Sequence, residues 1–109
     1  LGDVYKRQNL PIIVTGYFNA VPSDEPIQVL TNPSDPRHLT HSRTIAGFTY
    51  GPEWTFHDFG KIPYDKREWI DYIFVKGNIK VLRHGVLTET LNNLFPSDHC
   101  PVISTLILE

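Results

Sequence analysis

The sequence predicts an α/β (α+β) fold with mixed and antiparallel strands. Three observations carry that expectation: an apolar β-branched run comes first, one short helical segment follows it, and several more β-rich runs lie between clusters of proline, glycine and polar residues. The 109 residues, 40% hydrophobic and 20% charged, have the ordinary composition of a globular domain. No run approaches the roughly 20 apolar residues that a helix needs to cross a bilayer, so no membrane span is expected.

The elements follow in order. Residues 10–16 (LPIIVTG) form an apolar run closed by glycine, and the lack of polar alternation predicts a strand covered on both faces. Ser23 is a good N-cap, with Asp24 and Glu25 in the first turn and Pro26 early enough to be tolerated. Ile27, Val29 and Leu30 then give a short helix, stopped by Thr31-Asn32-Pro33. Residues 32–51 are rich in Pro, Ser, Asp, Thr and His and read as a long loop with at most one helical turn. Trp54-Thr55-Phe56 is expected to be a brief strand, and residues 60–68 a loop. Residues 69–75 (WIDYIFV), 79–86 (IKVLRHGV) and 101–108 (PVISTLIL) complete the strand set, with Ile79, Val81 and Leu82 directed at the core. The lone cysteine, Cys100, excludes an internal disulfide and reads as a small apolar filler.

Residues 1–8 (LGDVYKRQ) stand apart. From Asp3 to Gln8 they resemble the translation of a transposase mosaic-end adapter used in sequencing libraries, so they are read as a non-native tail. Residues 9–109 are then the native part, begun within a gene, and localisation is left open.

Three segments carry chemistry. Thr15-Gly16-Tyr17-Phe18-Asn19 follows the first strand, Ile70-Asp71-Tyr72-Ile73-Phe74 puts an acid inside an apolar strand, and Ser97-Asp98-His99-Cys100-Pro101 sets an acid and an imidazole before the last strand. A carboxylate within such a strand is costly unless paired. Hydrolysis of a phosphate ester needs an activated water and positive charge for the phosphoryl oxygens. An imidazole whose tautomer is fixed by an acid supplies part of that.

In this order and spacing the three segments resemble the GDFN, IDYIF and SDH signatures of the endonuclease/exonuclease/phosphatase family, over roughly residues 10–108. The resemblance implies the C-terminal half of a four-layer α/β sandwich of the DNase I-like type. It implies a phosphoesterase acting on a phosphodiester or phosphomonoester with Mg²⁺ (or Mn²⁺). His99 would contact the phosphate, Asn19 would hold the phosphate or the attacking water, Asp98 would lie at the metal, and Asp71 would pair with a histidine of the missing N-terminal half. Thr55 would line the substrate site. His38 and His41 lack a third ligand nearby in sequence, and His57 and His84 read as surface or strand-end residues.

The chain departs from the pattern at Tyr17, the position of the family aspartate expected to orient the attacking water. Loss of a positioned general base typically costs about 10²- to 10⁴-fold in rate, so these residues alone are expected to be inactive. The other reading is a noncatalytic pseudoenzyme or binding module on the same fold. The partner of either is a phosphate ester, whether small molecule, lipid or nucleic acid. The formal net charge of −2 gives no basic surplus for a long nucleic acid.

Overall fold

The computed structural model describes residues 10–109, so the adapter-like segment lies outside the described residues. Two three-stranded sheets form the framework. The first has the order β1 (Ile12–Tyr17), β4 (Asp71–Lys76), β2 (Thr40–His41), all antiparallel. The second has the order β3 (Phe48–Tyr50), β5 (Ile79–Val86), β6 (Val102–Leu108); β3 runs parallel to β5, and β6 antiparallel. Helices α1 (Glu25–Thr31) and α2 (Ser42–Ile45) and a 3₁₀ turn at Tyr64–Lys66 complete the described elements. The mixed α/β class is as the sequence predicts.

Strand alternation sets the core. Along β4, Tyr72 and Phe74 point one way and stack on each other at 5.0 Å, while Asp71, Ile73 and Val75 point the other way. Phe18 meets both rings edge-on, Ile27 of α1 closes over them, and Trp54, Trp69, Val86 and Cys100 complete the cluster. The Tyr72 hydroxyl donates to the carbonyls of Ala20 and Trp69, so its buried oxygen is satisfied. Cys100 is indeed a buried filler.

Several elements differ from expectation. β1 is not covered on both faces: of its residues Val14 alone is partly buried, and among the described residues β1 pairs with β4 only. The helix N-cap is Asp24, whose carboxylate accepts from the Val21 amide rather than capping the helix. The stretch 32–51 holds β2, α2 and β3. These are only two to four residues long, too short to show periodicity, and long-range pairing to β4 and β5 defines the two strands. Of Trp54-Thr55-Phe56, only Phe56 pairs, in single bridges to Glu68 and His99. In β5 a register shift between Val81 and Arg83 leaves Val81 buried and Leu82 half-buried.

His57 and His84 are not surface residues; both are fully buried. His84 lies between two hydroxyls, with Nδ1 at 2.6 Å from Ser42 Oγ and 2.8 Å from Ser104 Oγ. Its ring also meets that of His41 across the two sheets at 5.5 Å. His57 accepts from the Gly60 amide through Nδ1 and packs on Phe95 at 4.1 Å. The partners of His84 Nδ1 lie 42 and 20 residues away and the Gly60 amide that meets His57 sits in a loop, so position in the sequence does not reveal the burial of either ring.

Candidate active site

β1 and β4 run antiparallel with Tyr17 opposite Asp71, which puts both side chains on one face at the same end of the sheet. From the other sheet, the segment leading into β6 brings His99 over that end. His99 Nδ1 stands 2.7 Å from Asp71 Oδ2. A carboxylate only accepts, so Nδ1 carries the proton and donates, leaving Nε2 as the free edge of the ring. The side chains are 23% and 18% exposed, buried enough to strengthen the bond and open enough to meet a ligand. Two more rings hold the imidazole: Tyr17 edge-on at 5.0 Å and Phe56 tilted at 4.9 Å.

Asp71 therefore finds its histidine within these residues, whereas the resemblance gave it a partner from the missing half. The β-pairing explains the correction: β4 starts at Asp71, directly beneath the segment that carries His99.

Thr55 does not line the site. It is fully buried, so no substrate reaches it, and its Oγ1 accepts from the amides of Ile70 and Asp71. Phe56, which the sequence alone does not single out, is the residue of that segment in contact with His99; no local pattern marks it, because the contact spans more than forty residues. Asn19 follows β1 on an exposed turn with φ of 49°, a left-handed conformation that asparagine tolerates. Among the described residues its side chain makes no hydrogen bond.

Asp98 is the most open acid of the group, its side chain 45% exposed, with Oδ1 at 4.0 Å from His99 Nε2. Among the described residues no three His, Cys, Asp or Glu side chains come together as a metal cluster. Mg²⁺ takes one or two carboxylates and keeps several waters. Asp98 fits as one such ligand, but this donor set does not make a complete metal centre.

The sequence of residues 1–99 matches the model of the endonuclease/exonuclease/phosphatase family. The chain belongs to that family. Among solved structures it is similar to the endonuclease/exonuclease/phosphatase from Bacteroides vulgatus, at 32% identity and a TM-score of 0.84 over 93% of this chain and 38% of that one. A family protein from Bacteroides thetaiotaomicron matches at 29% identity and a TM-score of 0.81, over 98% of this chain and 41% of that one. A mannosyl-6-phosphatase from Bacteroides thetaiotaomicron VPI-5482 matches at 28% identity and a TM-score of 0.78, over 96% and 40%. No curated protein sequence matches. The chain thus spans about two fifths of the length of these structures. The fold is the family's DNase I-like architecture, of which these residues cover a portion.

Proposed function

We propose that the chain is the His99-bearing part of a divalent-metal-dependent phosphoesterase, acting on a phosphomonoester or phosphodiester. The observation that carries this is the 2.7 Å bond between His99 Nδ1 and Asp71 Oδ2, which leaves Nε2 free beside the open Asp98 carboxylate. In the reaction, water adds its oxygen to phosphorus, the P–O ester bond breaks, and the alcohol leaves with a proton. With its Nδ1 proton held by Asp71, His99 takes up a second proton at Nε2 and donates it towards a phosphoryl oxygen, and the Asp71 carboxylate steadies the positive charge on the ring. Asn19 offers an amide donor to the same phosphate. When bound, Mg²⁺ (or Mn²⁺) would draw phosphoryl charge, with Asp98 as one ligand and the others supplied by the missing N-terminal half of the domain. A phosphomonoester is favoured by the likeness to a mannosyl-6-phosphatase. The net charge of −2 agrees, since it offers no surplus for a nucleic-acid backbone.

One observation favours the second reading, a noncatalytic binding module. Tyr17 sits opposite Asp71 and edge-on to His99, where a carboxylate would be expected to orient water.

The test is hydrolysis of p-nitrophenyl phosphate and bis(p-nitrophenyl) phosphate with Mg²⁺ or Mn²⁺, by the chain extended upstream to its neighbours' length. The expected result is weak turnover that rises with Tyr17→Asp and falls at least about 10²-fold with His99→Ala. Turnover indifferent to His99→Ala would remove the site from the reaction. Phosphate binding without turnover, in both the Tyr17 and the Tyr17→Asp proteins, would favour the binding module.

A further inference from the structure

We infer that Thr55 is the positioning residue of the Asp71–His99 pair, fixing the carboxylate with its side chain and the imidazole segment with its main chain. The inference rests on the pair being the phosphate-handling site, and it concerns what holds that pair together.

The two members come from different sheets. Asp71 opens β4 in the first, and His99 leads into β6 in the second. A hydrogen bond of 2.7 Å across such a joint needs something that sets the gap. Thr55 belongs to no strand and lies fully buried between the two. Its Oγ1 accepts from the Asp71 amide at 3.2 Å and the Ile70 amide at 3.0 Å, which fixes the start of β4. Its carbonyl accepts from the Cys100 amide at 2.7 Å, which fixes the residue after His99. Its own amide donates to the Glu68 carbonyl, as does that of Phe56, anchoring the segment from behind. The next residue, Phe56, bridges to His99 and packs on its ring.

The chemistry requires a residue with a short side-chain acceptor. Valine matches threonine in shape but has no oxygen, so it would leave two buried amides without a partner. Serine keeps the oxygen and loses the methyl. The two substitutions therefore separate positioning by the hydroxyl from packing by the methyl.

The experiment is ¹⁵N NMR of the histidine rings in the 109-residue chain, wild type and variants. The Nδ1 proton of His99 is assigned by its disappearance in His99→Gln. Thr55→Ser should keep that signal and the single tautomer of the wild type. Thr55→Val should lose the signal and show mixed tautomers. A wild-type His99 signature in Thr55→Val overturns the inference. So does its loss in Thr55→Ser, which would mark the residue as packing only. If Thr55→Val does not fold, Thr55→Ser decides the question alone. No turnover enters these readouts, so a failed hydrolysis assay would leave the result standing. A wild-type chain without the Nδ1 signal would sink both readings.

Discussion

At the scale of single residues, the site depends on one carboxylate keeping one imidazole in one tautomer. Asp71→Asn is nearly isosteric, yet its amide can offer the ring a donor as readily as an acceptor. The free Nε2 edge then no longer has a fixed proton state. Expected in the upstream-extended enzyme is a fall in kcat of about 10²- to 10⁴-fold with little change in fold, checked by steady-state kinetics beside circular dichroism. Unchanged kcat would separate the pair from the reaction. Asp71, Asp98 and His99 are legible in the sequence because an acid in an apolar strand and an acid–imidazole pair before another are chemically conspicuous. Tyr17 is legible as a departure at a known position. Thr55 can be found but not its role, since a hydroxyl that accepts from amides fifteen and sixteen residues away leaves no local pattern.

At the scale of elements, β2 and β5 meet through two histidines. His41 and His84 each sit at about 4, well below the 6.5 of a solvated ring. Burial is the main cause for both; for His41 the neighbouring His84 and then Arg43 add to it, and for His84 Arg43 does. Among the described residues Nε2 of each ring is buried without a hydrogen-bond partner, so a proton added there would find no acceptor. The folded state thus binds fewer protons than the unfolded one. The stability these two rings contribute is fully present above pH about 6.5 and is lost as pH falls towards 4. For the fully buried His84 the loss is on the order of 3 kcal/mol at most. Urea unfolding at pH 7, 5.5 and 4.5 should show a falling midpoint, flatter in His84→Gln than in wild type. Identical slopes would dismiss this pair as the cause. The longer strands were readable from β-branched and aromatic runs, and β5 has the predicted bounds. β2 and β3 were not, because their identity rests on partners rather than on their own two or three residues.

At the scale of the molecule, two sheet edges carry apolar side chains into solvent. Ile12 and Ile13 on β1, and Ile103, Ile107 and Leu108 on β6, are each about two fifths exposed or more. Among the described residues β1 and β6 also lie at the margins of their sheets, each paired on one side only. Apolar faces beside unpaired backbone edges favour association. Sedimentation velocity of the 109-residue chain should show species that grow with concentration. Ile13→Lys combined with Ile107→Lys should reduce them. A concentration-independent monomer would refute the expectation.

The placement of Asp71 and His99 on different sheets has a consequence for synthesis. Ribosomes deliver the carboxylate 28 residues before the imidazole, and Thr55 earlier still. While β4 is already available to pair with β1, its first residue must wait as a solvated acid until the segment after β5 emerges. Among the described residues the site is therefore one of the later features to form, and a nascent chain can hold much of its first sheet while chemically blank.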